Sequence, residues 1–367
     1  MLKFSNLGKI MEAANHSKNS VMEAENHVKH RAGSMRRGNF FRKAYFALVV
    51  VGIIFSSCKD GGDNGNENEN SLQSWTEIGT PFSGAGGAEQ ISAIASGNDL
   101  FVAASSRGQI AYSSNAKNWT VVSGNPWGNN SLYSASFGNN KFVVAGDGAR
   151  MMYSSNGITW DAFTNDIFIV GGSHYTINSI VWGKNRFVAA GYDKISYSNN
   201  GENWIEGTFS PNLFPNIMCF GFGNGRLIAG GPDGKMAYSD DDAETWHSIS
   251  NSGFGSYSID CIAWGNGTFV AVGGAGIISC SSDNGVNWER VLDSKFGSNP
   301  IYSVTWGGGT FVAVGSRGRI SYSTDGKTWQ EVTQRLFNDR DIYTVCYSNG
   351  IFVVGGADQN IAYCTVK

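Results

Sequence analysis

The sequence predicts an all-β chain folded as a seven-bladed β-propeller of four-stranded antiparallel blades. Three observations predict it. A unit recurs seven times between Trp75 and Lys367, most clearly as IYSVTWGGGTFVAVGSRGRISYSTDGKTWQEV at 301–332. Each unit holds four short β-branched or aromatic runs bounded by Gly, Asn or Asp, the pattern of strands joined by tight turns. No stretch after residue 72 sustains a 3.6-residue period, so no helix is expected there. A unit of roughly 40 residues cannot bury its own apolar face; copies must stack, and seven of them close into a ring.

The strands are labelled A to D from the central channel outward. Strand A starts at Ile91, Leu132, Ile177, Ile217, Ile259, Ile301 and Ile342. Strand B carries an FVA-like run at Phe101, Phe142, Phe187, Leu227, Phe269, Phe311 and Phe352. Strand C starts at Ile110, Met151, Ile195, Met236, Ile277, Ile320 and Ile361. Strand D is marked by Trp75, Trp119, Trp160, Trp204, Trp246, Trp288 and Trp329, spaced 44, 41, 44, 42, 42 and 41 residues apart. Trp75 has no A, B or C strand before it, and the last copy has no D strand. Residues 72–78 are therefore expected to lie beside 361–366, so that the N-terminal strand completes the last blade and closes the ring.

The region before the ring reads differently. Residues 1–34 are mixed polar, and translation is expected to start at Met35. Arg36, Arg37, Arg42 and Lys43 then precede 12 apolar residues, 44–55. That run is too short to span a bilayer and fits the core of a signal peptide over 35–57. Phe55-Ser56-Ser57-Cys58 resembles a bacterial lipobox, which implies lipid attachment at Cys58; an uncleaved membrane anchor is the alternative. Residues 59–71, KDGGDNGNENENS, contain no apolar side chain and are expected to form a tether with Cys58. Such a tether spans roughly 20 Å, and its composition resembles the tethers of Bacteroidetes-type surface lipoproteins. The resemblances imply an outer-membrane lipoprotein on the periplasmic or cell-surface face.

Charge and rare residues exclude several function classes. Of 27 Lys+Arg and 30 Asp+Glu, residues 1–57 hold nine and three, leaving 18 and 27 and a net charge of −9 beyond them. A mildly acidic ring lacks the electrostatic footprint of a nucleic-acid binder. Only His174 and His247 remain beyond the leader, too few for a histidine metal cage or triad. Cys219 and Cys261 occupy the same small position of strand A and read as core residues. No Cys-x-x-Cys occurs, and no metal or cofactor is expected.

The C–D corner reads STDGKTW at 323–329 and SSDNGVNW at 281–288, with weaker copies at 113–119, 154–160, 198–204 and 239–246. In each, Asp or Asn is placed to bond turn amides and Trp to pack under the hairpin. These corners resemble Asp-boxes, and residues 72–367 resemble BNR-repeat propellers, which include sialidases, other glycosidases, photosystem II assembly-factor-like proteins and many binding proteins. The sialidase members carry an Arg-Ile-Pro segment and an arginine triad. This chain has no Arg-Ile-Pro, and its arginines lie in or beside loops rather than on strand A.

The candidate site follows from comparing the copies with one another. Strand A position one is always Ile or Leu and position three always small. Position two varies as Ser92, Tyr133, Asn178, Met218, Asp260, Tyr302 and Tyr343. It lies near the start of strand A, on the face carrying B–C loops and the dissimilar D–A connections 79–90, 123–131, 164–176 and 207–216, where binding commonly resides. Tyr133, Asn178, Asp260, Tyr302 and Tyr343 are the candidate ligand-binding residues; the alternative is that position two merely meets water at a rim. Trp127, the only Trp outside a recurring Trp position, is a candidate stacking platform. It also lies five residues before Leu132, as Phe254, Phe296 and Phe337 do before their A strands, which suits a packed plug instead. The B–C loop charges, including Arg317 and Arg319, read as a solvated rim or an anion grip. The expected function is a monomeric, membrane-anchored, non-catalytic module that binds a glycan or an envelope or surface protein. The alternatives are a secreted glycoside hydrolase or lyase and an assembly factor for an envelope complex; Asp260, the only ionisable residue among the non-aromatic choices at position two, favours binding over catalysis.

Overall fold

A computed structural model describes residues 71–82, 89–124, 128–209 and 213–366. The leader, Cys58, most of the tether and Trp127 lie outside the described residues.

Seven four-stranded antiparallel sheets form the blades. Blade 1 comprises Ile91–Gly97, Leu100–Ser105, Ile110–Ser113 and Thr120–Val121; blade 2, Leu132–Gly138, Lys141–Gly146, Arg150–Ser154 and Asp161–Thr164. Blade 3 comprises Ile177–Trp182, Phe187–Gly191, Ile195–Ser198 and Ile205–Glu206; blade 4, Cys219–Gly223, Arg226–Gly230, Met236–Ser239 and His247–Ile249. Blade 5 comprises Ile259–Gly265, Thr268–Gly273, Ile278–Ser281 and Glu289–Arg290; blade 6, Ile301–Gly307, Thr310–Gly315, Ile320–Ser323 and Gln330–Glu331. Blade 7 takes Ile342–Ser348, Ile351–Gly356 and Ile361–Thr365 from the C-terminus and Thr76–Gly79 from the front. Each A strand packs on the A strand of the next blade, and that of blade 7 packs on that of blade 1, so the ring is closed.

The B strands read as unbroken apolar runs because each blade is covered on both faces by its neighbours. Phe101, Phe142, Phe187, Leu227, Phe269, Phe311 and Phe352 are all buried. In five blades the B-strand Phe meets the aromatic at position six of its own strand A, with ring centroids 4.4–4.7 Å apart. That position-six aromatic lies over position seven of the preceding blade. A Cβ added at Gly97, Gly138, Gly223, Gly265 or Gly307 would sit 2.0–2.1 Å from the ring of Phe137, Trp182, Trp264, Trp306 or Tyr347. Glycine is therefore required there by close approach. Two junctions depart: a Cβ at Gly183 would meet the Asp242 carboxylate rather than Phe222, and blade 7 has Ser348 at position seven, faced by Ser96 of blade 1 rather than an aromatic.

The C–D corners are built as local hydrogen-bonded turns. In blade 6 the Asp325 Oδ1 accepts the amides of Lys327 and Thr328 at 2.8 and 2.7 Å, and the Ser323 hydroxyl donates to the same oxygen. The Trp329 indole donates to Gly326 O at 3.0 Å. Asn115, Asn156 and Asn200 make the same bonds in blades 1 to 3. Blade 7 lacks this corner, and the Trp75 indole donates to Leu72 O instead. Each Trp stands immediately before its D strand rather than within it.

The seam matches the expected closure. Thr76 pairs with Tyr363, Glu77 with Ala362 and Gly79 with Ile361. Gln334 clamps the Trp75 backbone, its Oε1 accepting the Trp75 amide at 2.9 Å and its Nε2 donating to the Trp75 carbonyl at 3.0 Å. Buried Glu89 receives Gln359 Nε2 and pairs with Arg107 Nη1 at 2.5 Å. Two D–A connections depart from a plain loop, one of them by a short 3-10 turn at Phe337–Asp339. Residues 164–176 contain a short 3-10 turn, Asp166–Phe168, and a two-stranded hairpin of Ile169–Val170 and Ser173–His174. Gly171 and Gly172, at φ 59° and 83°, supply the two left-handed residues such a turn demands.

Candidate binding site at the mouth of the ring

Position two of strand A is the extra residue of a β-bulge. Ile91 pairs with Ser105 and Ala93 with Ala104, which leaves Ser92 unpaired between them. The same shift brackets Tyr133, Asn178, Asp260, Tyr302 and Tyr343. In blade 4, where Cys219 pairs with Gly230, the Met218 amide also donates to Gly230 O at 2.8 Å. A bulge re-aims the inserted side chain. All seven position-two residues are partly exposed, Tyr133 most at 39%, while position one is buried in every blade. The ring of variable residues anticipated from the sequence is thus a ring of bulges.

Position three does different work. The Ser134, Ser179 and Ser303 hydroxyls accept the amides of Ile180, Phe220 and Val345 in the next blade at 2.9, 3.1 and 3.3 Å. Cys219 and Cys261 stand in this latch, donating to Ile259 O at 3.4 Å and Val304 O at 3.5 Å. Both are free thiols, and burial pushes both thiol pKa values up.

Position-two side chains also reach forward. The Ser92 hydroxyl donates to Leu132 O, and Asn178 Nδ2 donates to Asn216 Oδ1 at 2.8 Å and Ile217 O at 3.0 Å. The Tyr302 hydroxyl donates to Asp341 Oδ2 at 3.3 Å, while Tyr133 stays within its own blade and donates to Asp147 Oδ2 at 3.3 Å. Tyr302 and Tyr343 lie together with centroids 5.3 Å apart and a 37° tilt. Burial raises the Tyr302 pKa to about 12, with the Asp341 charge adding to it. Tyr343 and Tyr133 are raised by the same two kinds of cause. Burial also pushes the Asp260 carboxyl up, partly offset by a hydrogen bond from Ser258. At neutral pH the tyrosines are neutral donors with exposed ring area, able to stack and to hydrogen-bond.

The opposite face is committed to holding the ring together. Asn98, Asn139, Asn224 and Asn266, all left-handed in their A–B turns, donate from Nδ2 to the C–D corner of the next blade at 2.9–3.3 Å. Arg186 stacks over Tyr197 at 4.1 Å and bonds the carbonyls of Asp241 and Asp242 and the Glu244 carboxylate of blade 4. Arg226 stacks over Tyr238 at 4.0 Å and grips Asp240 with two bonds of 2.6 and 2.7 Å.

Phe254, Phe296 and Phe337 are buried plugs, joined by Phe82, Phe168 and Phe214 at other offsets. Trp127 itself falls outside the described residues. His247 lies exposed on an outer strand against Tyr238, and His174 lies exposed on the hairpin, its Nδ1 3.3 Å from Gly148 O. Sequence reasoning missed Tyr175 and Tyr192, which stack with centroids 5.4 Å apart beside that hairpin; the Gly171-Gly172 turn was the available signal.

No protein-family model matches the chain, and no curated protein matches it by sequence. Solved structures share its fold. YCF48 from Cyanidioschyzon merolae superposes with a TM-score of 0.61 at 16% identity, over 79% of this chain and 98% of that one. YCF48 bound to D1 peptide gives 0.63 at 14%, over 80% and 97%. The WD40 repeats of RRP9 give 0.60 at 12%, over 80% and 97%.

Proposed function

We propose that the chain is a membrane-anchored envelope protein whose propeller is a non-catalytic module for a segment of a protein partner, taken at the mouth of the ring. The carrying observation is the contrast between faces. The C–D corners and A–B turns are bonded blade to blade, whereas the position-two bulges present partly exposed tyrosines and polar groups on an otherwise fixed scaffold. The YCF48 structure with a bound peptide supports a peptide as occupant, and assembly of an envelope complex is the narrower form of the same role. Anchoring through Cys58 rests on the leader sequence.

The test uses the full chain in detergent on a random-peptide array and a glycan array, beside Tyr302→Ala/Tyr343→Ala. Peptide binding that the double variant loses, with an unchanged melting temperature, supports the reading. Each truncated aromatic at such a site typically costs ~2 kcal/mol or more. Glycan hits alone replace the partner class. Unchanged binding by the double variant moves the site outward to Tyr175, Tyr192 and His174. A collapse in melting temperature makes the tyrosines structural.

A further inference from the structure

On its committed face the chain repeats one constellation: a tyrosine ring, a guanidinium lying on it, and a carboxylate bonded to the guanidinium. Arg226 over Tyr238 with Asp240 is one instance, and Arg186 over Tyr197 with Glu244 is another. At the mouth of the ring the tyrosines and carboxylates recur, and among the described residues no guanidinium stacks on Tyr302 or Tyr343. Tyr302 and Tyr343 lie 5.3 Å apart. Asp341 receives the Tyr302 hydroxyl at 3.3 Å, which fixes the ring, and its other oxygen receives only the Arg317 backbone amide at 3.0 Å. Asp260 occupies the same bulge position in the preceding blade and lies near enough for its charge to act on Tyr302.

Arg317, exposed beside Asp341, forms no ion pair with it among the described residues, and the other nearby cations are engaged elsewhere. Arg340 pairs with Asp358 at 3.0 Å, and Arg319 pairs with Glu331 at 3.2 Å. Arg107 pairs with buried Glu89. Neither Asp260 nor Asp341 forms an ion pair among the described residues.

Resting on the reading of the mouth as a protein-binding site, we propose that Tyr302, Tyr343, Asp260 and Asp341 receive an arginine side chain of the partner segment. A guanidinium stacks flat on an aromatic face, is weakly hydrated and bonds carboxylates in a fork. It would supply the ion pair that Asp260 and Asp341 do not form among the described residues. The raised pKa values of Tyr302 and Asp260, whose first cause is burial, agree with a site that disfavours further negative charge. The ring, with 17 Lys+Arg against 23 Asp+Glu over residues 72–367 and so a net charge of −6, steers a basic segment toward itself.

The test measures binding of the full chain in detergent to three capped pentapeptides, each with two glycines on either side of arginine, citrulline or glutamate. Citrulline keeps the planar shape and removes the charge. The arginine peptide is expected to bind at least about tenfold more tightly than the citrulline peptide. Asp260→Asn/Asp341→Asn should abolish that preference without changing the melting temperature. If this variant does not fold, raising salt on the parent from about 0.05 to about 0.5 M should weaken the arginine peptide and spare the citrulline one. Equal affinity for arginine and citrulline, preference for glutamate, or no binding of any peptide near millimolar concentration each overturns the proposal. Array peptides without basic residues that still depend on Tyr302 and Tyr343 would sink this inference and leave the protein-binding reading standing.

Discussion

At the C–D corners one oxygen atom organises each turn, and the chain has tried two ways of supplying it. Blades 1 to 3 use Asn115, Asn156 and Asn200; blades 4 to 6 use Asp241, Asp283 and Asp325. Burial raises the pKa of each Asp, but the turn amides and the preceding Ser hydroxyl outweigh it, and Asp283 falls to about 2. A carboxylate depressed below its unfolded value of about 3.9 contributes stability that is complete above that pH and lost as pH falls through the folded value. Replacing all three with Asn keeps the acceptor and removes the titration. This variant should melt somewhat below the parent at neutral pH, where the ionised turns contribute fully, and lose less stability on acidification from about pH 4 to about 2. Parallel acid melting curves would refute the assignment.

The glycine that ends strand A sets the distance between neighbouring blades. Gly265→Ala would drive a Cβ to 2.1 Å from the Trp306 ring, itself packed on Phe311. Overpacking of this kind costs about 1–3 kcal/mol or more. Gly267→Ala, two residues on, meets nothing within 4 Å and strains only its φ of +73°, at about 1–2 kcal/mol. Chemical denaturation should rank Gly265→Ala as the more damaging. The Ser348–Ser96 junction further predicts that Trp306→Ser partly rescues Gly265→Ser; independent, additive losses would contradict this packing account.

Much of this element-level structure was legible because the chain repeats itself. Blade number, strand order and the shared last blade follow from Ile and Phe markers whose burial leaves them little freedom and from Trp markers tied to the C–D corners. The place of position two was legible for the complementary reason, since only a partly wet position tolerates Ser92, Tyr302 and Asp260 alike. Its bulge was not, because an inserted residue is defined by the register of the partner strand and leaves no mark in the apolar pattern. The Asn clasps from Asn98 or Asn266 were equally hidden, since their acceptors belong to the next blade. The pairing of Tyr175 with Tyr192 depends on how a hairpin folds over, which composition does not encode.

For the whole ring, the seam concentrates the consequences. Leu72 and Trp75 are each 4% exposed and pack with Val332, Leu336, Val354 and Ala362. Trp75→Ala alone should cost about 3–5 kcal/mol. Deleting residues 72–78 should strand Ile361–Thr365 as an open edge and cause aggregation or a large fall in melting temperature. A deleted chain that melts like the parent would show that the closing strand is dispensable. The leader makes a separate prediction at this scale: Cys58→Ala should release the protein from membranes, because acyl burial contributes ~0.8 kcal/mol per CH₂. Retention after a carbonate wash would rule out lipid anchoring.

The pairing of Thr76 with Tyr363 also imposes a schedule. Every other blade is made from one continuous stretch of chain and can form as soon as that stretch is available. Blade 7 cannot, because its outer strand leads the ring sequence and its inner three strands trail it. The entropy of closing so long a loop must be met before the seam returns any contact energy. The earliest strand of the ring is therefore the last to be placed. Until then the last blade lacks its outer strand, and Ile361–Thr365 stands as an open edge.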